Sequence, residues 1–223
     1  MGHFFSSSIG KKFIMSVTGI FLMLFLIVHL AVNSLLLVGF EAFNEAAHFM
    51  ATNPFIQIVE PLLGLGFIVH IIFSVYITLQ NQSKRPIHYE NVNRRYSTTW
   101  PARNMFILGG FVLIYLGIHL SNFFWKVNFG HVEKVMINGT EMDNLYTLVT
   151  TLFLNWWWYD VIYILGAVFL ALHLSHGFWA AFQSLGWNND RWRIRLKRIA
   201  YAFAIIMGIG FSTIPLYFLI TAN

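Results

Sequence analysis

The chain has 223 residues, of which 57% are hydrophobic and 10% charged, where soluble domains carry about 25% charged residues. It has no cysteine, which excludes a disulfide framework, thiolate-held iron–sulfur clusters and covalently attached c-type haem. The net charge of +5 does not point to nucleic acid, because the basic residues gather at the ends of apolar runs.

Runs of about 18 apolar residues or more are membrane-span candidates, and the chain contains five. Residues Met1 to Lys12 are a short polar start with Ser6, Ser7, Ser8, Lys11 and Lys12. The first predicted helix, about 13–38, contains His29. It is too long for a signal-peptide core and lacks a small-residue cleavage site ahead of a soluble domain, so it is read as retained. A loop with Glu41 and Glu45 follows. Pro54 and Pro61 flank the entry to the second helix, about 57–80, which contains His70; proline is tolerated there because first-turn N–H groups are unpaired anyway. A basic loop carries Lys84, Arg85, Arg94, Arg95 and Arg103. The third helix, about 104–124, contains His119.

Residues 125–155 are mixed, with a turn at Asn138-Gly139 and a short interfacial helix over Leu145 to Leu154. Trp156 to Tyr159 form an aromatic belt. The fourth helix, about 158–183, contains His173 and His176. A second basic loop carries Arg191, Arg193, Arg195, Lys197 and Arg198, and the fifth helix, about 199–220, has neither charge nor histidine. The length suits one transmembrane domain over 1–223, without a second soluble domain.

Five alternating spans place the N-terminus, the 2–3 connection and the 4–5 connection on one side. That side holds twelve of the fourteen Lys and Arg, leaving Lys126 and Lys134 opposite. The positive-inside rule then predicts a cytoplasmic N-terminus and an outside C-terminus. This topology converts positions into depths. His29 lies 17 residues past Lys12 and His119 lies 16 past Arg103, whereas His70 and His173 each lie 10 residues before Gln80 and Gln183. The four fall on two levels, roughly 10 Å apart at 1.5 Å per residue.

Ionisable residues inside a membrane are costly and require a partner or a task. In an up-down bundle, helices 1 and 3 are diagonal, as are 2 and 4, and cofactors are built between such facing positions. Two imidazoles on opposite sides of a flat macrocycle are what a six-coordinate haem iron requires. The predicted fold is an all-α membrane protein of five transmembrane helices, four of them an antiparallel bundle around two haem b groups. His29 and His119 form the outer pair and His70 and His173 the inner pair, with His176 an alternative to His173. Glycines such as Gly19, Gly66, Gly109 and Gly166 permit close backbone approach. His3, His48, His88 and His131 fall in the start and loops and are expected to be solvated.

The chain resembles the cytochrome b subunit of succinate:quinone oxidoreductases (succinate dehydrogenase and fumarate reductase), in the single-chain, five-helix, two-haem form of menaquinone-using bacteria. The residues that carry the resemblance are Ser8-Ile9-Gly10-Lys11-Lys12 with Thr18-Gly19, then His29, His70, Trp100 with Arg103, His119, and His173 with Gly177 four residues on. They span nearly the whole chain. The resemblance implies a multi-pass anchor in the bacterial inner (cytoplasmic) membrane, binding a flavoprotein and an iron–sulfur subunit on the cytoplasmic side. Electrons from succinate would pass through the inner and outer haems to menaquinone, or run backwards in fumarate reduction. It also implies that the four helix histidines are the axial ligands, and the spacing to Gly177 favours His173 over His176. Some fumarate-reductase relatives carry a proton-moving carboxylate two residues before the fourth-helix ligand; here that position is Ala171, so the role is not carried over.

With no cysteine and no dinucleotide fingerprint, the chain has no complete active site for succinate and leaves flavin chemistry to another subunit. A quinone site needs an apolar slot and a proton-active group. Glu60, in the first turn of the second helix, is the outer carboxylate nearest the bilayer and the expected quinone residue; Asn33, Asn122 and Asp160 lie on the same side. Lys11, Ser16 and Arg103 are candidates for the inner haem propionates. Two other classes fit parts of the pattern: the b-type cytochrome subunit of a formate dehydrogenase or hydrogenase, and a transporter with a histidine proton relay. The latter predicts a colourless protein, and the chain lacks the repeats and broken helices of many transporters.

Overall fold

A computed structural model describes residues 7–83, 99–187 and 189–221. His3, Lys84, Arg85, His88, Arg94 and Arg95 lie outside the described residues. Helix α1 covers Ser8–Ser34 and continues through a 3-10 turn, Leu35–Leu37. The Ser7 hydroxyl starts it by accepting the Gly10 N–H at 3.0 Å, which satisfies one of the first-turn donors. Then come α2 (Phe40–Thr52), α3 (Pro54–Ser83), α4 (Trp100–Arg103) and α5 (Met105–His119). A five-residue π-helical turn, Leu120–Phe124, joins α5 to α6 (Trp125–Phe129). Strands β1 (Lys134–Ile137) and β2 (Thr140–Asp143) precede α7 (Leu145–Asn155), α8 (Trp157–Ser184) and α9 (Asp190–Thr221).

Among the described residues five helical segments are long and apolar enough to cross a membrane: α1 with its 3-10 turn, α3, α5 through α6, α8 and α9. The chain is an all-α membrane protein, with one small hairpin among the described residues.

Two stretches expected as loops are helical. Glu41 and Glu45 lie on α2, which begins after Gly39 turns the chain at φ 147°, a conformation open to glycine alone. Arg191 to Arg198 form the opening turns of α9. Arg, Leu and Lys are strong helix formers. Asn189 caps these turns, its side-chain oxygen accepting the Trp192 N–H at 2.9 Å, and Asp190 complements the helix dipole.

Helix α1 packs on α3 and α8, and α5 packs on α8, while α3 and α5 touch only lightly. Among the described residues α1 makes no extended contact with α5, nor α3 with α8, so these pairs stand diagonally across the bundle. Helix α9 lies outside this square, in its longest contact with α8. Small residues bring the backbones close, as is usual between membrane helices. A Cβ on Gly208 would stand 2.9 Å from the Ala171 Cβ, and one on Gly210 would stand 2.7 Å from the Leu30 Cδ2. Gly166 leaves its space to the Tyr115 ring.

The end of the bundle nearer His29 and His119, the one expected to face outside, carries a polar-stitched cap of α2, the hairpin and α7. Asn44, 0% exposed, accepts the Tyr146 N–H at 2.9 Å and donates to Asn144 Oδ1 at 3.5 Å. The hairpin turns at Asn138 (φ 51°) and Gly139 (φ 79°), the Asn-Gly pair that suits a two-residue turn with both φ positive. Asn138 also donates to the Glu45 carboxylate at 2.7 Å.

Because a Cβ on Gly166 would overlap the Tyr115 ring, Gly166→Ala is expected to cost about 1–3 kcal/mol through overpacking. Gly64, with nothing within 4 Å of its Cβ position, tolerates the same change. Thermal unfolding of the two variants in detergent checks the contrast.

Candidate functional site: paired histidines in the bundle

All four histidines of the predicted pairs lie within spans and are half-buried. His29 on α1 and His119 at the end of α5 meet across the diagonal. Their ring centres are 5.7 Å apart and the planes are nearly perpendicular, at 88°. Phe25 stacks on His29 at 5.0 Å, and Phe123 meets His119 edge-on at 5.3 Å. Asn33 donates to the His29 carbonyl at 2.8 Å and lies 3.4 Å from its Nδ1.

The inner pair sits on the other diagonal. His173 on α8 lies within electrostatic reach of His70 on α3. Each inner ring lies against a glycine of a neighbouring span: a Cβ on Gly19 would be 3.4 Å from His70 Cε1, and one on Gly109 would be 3.6 Å from His173 Cε1. Both glycines fall ten residues before the outer histidine of their own helix. His70 Nδ1 is 3.3 Å from the Thr18 hydroxyl, which donates its one proton to the Ile14 carbonyl at 2.9 Å. With that proton placed on Ile14 the hydroxyl accepts from Nδ1–H, the tautomer that leaves the Nε2 lone pair for a metal.

His176 is drawn elsewhere. Its ring meets Trp179 at 5.0 Å and near a right angle, and Lys197 of α9 covers the same indole at 4.8 Å. The Nδ1 atoms of His119, His173 and His176 are buried without a hydrogen-bond partner among the described residues. Such an atom costs about 1–3 kcal/mol if nothing satisfies it; His176, outside the pairs, shares the feature with His119 and His173.

The donor set narrows what the pairs can hold. Among the described residues no group of three or more His, Cys, Asp or Glu gathers as a metal site, whereas a structural zinc takes four protein ligands. Two imidazoles leave a six-coordinate iron four positions, which a porphyrin fills.

The remaining expected residues divide. Lys11 is 8% exposed, and its Nζ reaches the Tyr76 hydroxyl at 3.2 Å; Ser16 is buried as well and donates to the Lys12 carbonyl. Arg103 is exposed at the end of α4. Glu60 is exposed and has no hydrogen-bond or ion-pair partner among the described residues. His131 is exposed and His48 half-buried on α2. Asn122, turned inward by the π turn, donates to the Tyr163 hydroxyl at 3.2 Å. Tyr163 packs against His119 at 6.0 Å and against Tyr115 at 5.3 Å. Sequence reasoning missed both tyrosines. The available signal was position, since Tyr115 lies four residues before His119 and Tyr163 ten before His173.

The chain is 28% identical, over 196 residues, to the succinate dehydrogenase cytochrome b558 subunit of Bacillus subtilis (strain 168), covering 86% of each chain. The chain resembles a succinate dehydrogenase cytochrome b subunit. The similarity extends over most of both chains, so it covers the bundle as a whole instead of one span. No protein-family model matches the chain, and no solved structure matches it.

The Asn122–Tyr163 bond fixes the π turn to α8. Asn122→Leu leaves the phenol unpaired and is expected to cost about 1–3 kcal/mol, most of which Tyr163→Phe in the same chain recovers. A double-mutant cycle of thermal unfolding measures the coupling.

Proposed function

We propose that the chain is the cytochrome b membrane anchor of a succinate:quinone oxidoreductase. It carries electrons between an iron–sulfur subunit and a quinone, menaquinone in the form it resembles. The observation that carries this reading is the meeting of His29 and His119 across the bundle diagonal. The similarity to the Bacillus subtilis cytochrome b558 subunit supports the complex it belongs to. The donor count supports haem over a zinc site.

In this reading His29 and His119 hold the outer of two haem b groups, and His70 and His173 the inner. A bis-imidazole haem, when bound, accepts and passes on single electrons without making or breaking a bond. The chain supplies position and insulation. Thr18 orients His70 through its Nδ1–H, and the glycines at 19 and 109 let the inner rings lie against backbone. The buried Lys11 ammonium, with Tyr76 and no carboxylate bonded to it, suits an inner haem propionate. The aromatic packing around His119 and the α2–α7 cap keep water from the outer pair. Glu60, exposed on α3, is the carboxylate offered to quinone.

The basic N-terminus and the start of α9 face the cytoplasm, where the flavoprotein and iron–sulfur subunits dock, and the C-terminus lies outside. The site is a bacterial cytoplasmic membrane. The chain itself does not act on succinate.

A reduced-minus-oxidised spectrum with a haem count on the purified complex tests the reading. Two b-type haems per chain are expected. Replacing His29, His70, His119 or His173 by Ala removes or disturbs one of them, while His176→Ala leaves both. Protein that binds no porphyrin with its partner subunits present defeats the proposal. Thr18→Val removes the acceptor of a ligand histidine, and loss of such a partner costs about 10–100-fold in affinity. Selective loss of the inner haem signal on dilution is the expected result.

A further inference from the structure

Asp160 stands in the first turn of α8, 0% exposed, and neither carboxylate oxygen reaches a hydrogen-bond partner on another residue among those described. Lys11, the other buried charged side chain, has a partner in Tyr76; Asp160 has none. A carboxylate sealed from water without a cation or donor is strongly disfavoured, so such a group either holds a proton or faces a positive charge that comes and goes. The described ion pairs are Lys134–Asp143 and Arg193–Asp190, and neither involves it. The titratable side chains of the apolar cluster at this end of the bundle are Tyr159 and Tyr163 of α8, Tyr115 of α5 and Tyr146 of α7, with His119 of α5 against Tyr163. Helices α1 and α9 bring apolar side chains there, such as Leu36 and Phe218.

In the bis-imidazole reading a variable positive charge arises at the outer histidine pair, which Tyr163, one turn along α8 from Asp160, contacts. Tyr163 packs its ring on His119, with centres 6.0 Å apart. Asp160 lies three residues earlier on the same helix, about 5 Å further out along the axis. Oxidising an iron held by neutral imidazoles adds one positive charge at that pair.

We propose that Asp160 is the proton-exchanging group of the outer haem: its carboxyl holds a proton while the iron between His29 and His119 is reduced and releases it when that iron is oxidised. One electron leaves for the quinone acceptor and one proton leaves the carboxyl for the outer water; reduction reverses both transfers. This rests on the bis-imidazole reading above and adds to it a residue that neither the pairing nor the similarity assigns.

The test is a redox titration of the outer haem across a range of pH, on the haem-loaded complex, for the native chain and for Asp160→Asn. The outer midpoint potential of the native chain is expected to fall as pH rises. Asp160→Asn is expected to keep both haems and lose at least half of that slope, with Asp160→Glu restoring it and Glu141→Gln, an exposed carboxylate of β2, leaving it unchanged. Equal slopes in the native and Asn forms, a native midpoint independent of pH, or loss of the slope in Glu141→Gln overturns the proposal. If Asp160→Asn does not assemble, infrared difference spectra of the native complex decide. A protonated-carboxyl band that appears on reduction of the outer haem supports the assignment, and its absence overturns it. The haem count separates the two failures, since a complex without porphyrin fails the bis-imidazole reading before any slope is measured.

Discussion

An imidazole held among apolar helices must have each of its ring nitrogens satisfied, and that demand shapes the bundle. The bilayer core offers no water to a stray donor or acceptor. Four spans each carry such a ring, and the structure treats them differently. His70 is tied to Thr18 and His29 lies beside Asn33, whereas His119 and His173 keep a buried nitrogen without a protein partner. One member of each proposed pair is thus placed beside a polar side chain of its own surroundings, and the other is not.

The two ends of the bundle are built on different principles. The outer end is closed by side-chain amides and aromatic rings. Asn44 knits α2 to α7, Asn138 reaches Glu45, and Tyr163, Phe153 and Phe218 fill the space beneath. The π turn at Leu120–Phe124 belongs to this end. An extra residue in a helical turn rotates the rest of the helix about its axis, and here it carries Asn122 inward to Tyr163. Such bulges cluster at functional sites, and this one begins directly after a proposed ligand. The inner end depends on small residues and one buried cation, Lys11, with Tyr76.

Much of the architecture was legible because the bilayer reduces it to run length and charge. Apolar runs of ample length mark the spans, and residue counts from their basic ends put the histidines on two levels. The features that escaped were amphipathic or side-chain specific. Helix α2 alternates Glu41 and Glu45 with apolar residues, and its short length lost it to a loop. Residues Arg191 to Arg198 looked like loop because charge was taken to end a helix; in water, arginine and lysine continue one. The hairpin had its Asn138-Gly139 turn in plain view, but strands of four residues are too short for periodicity to mark. At the site, the histidines announced themselves by being ionisable in apolar surroundings. Tyr115 and Tyr163 did not, since an aromatic residue in a membrane helix is ordinary and only its contact with His119 sets it apart. Asp160 was visible as a residue, but its complete burial is a product of tertiary packing and is not encoded locally.

Helix α9, at 32 residues, is longer than a hydrocarbon layer of about 30 Å needs, since about 20 residues at 1.5 Å each suffice. Its surplus lies at the arginine-rich beginning, where Arg191, Arg193, Arg195 and Arg198 are exposed while Leu196 is buried. Those guanidinium groups ride on a stiff rod anchored against α8, so their mutual spacing is settled before any protein arrives. A visiting acidic surface would meet a ready-made template and forgo the entropy loss that ordering a slack basic tail demands.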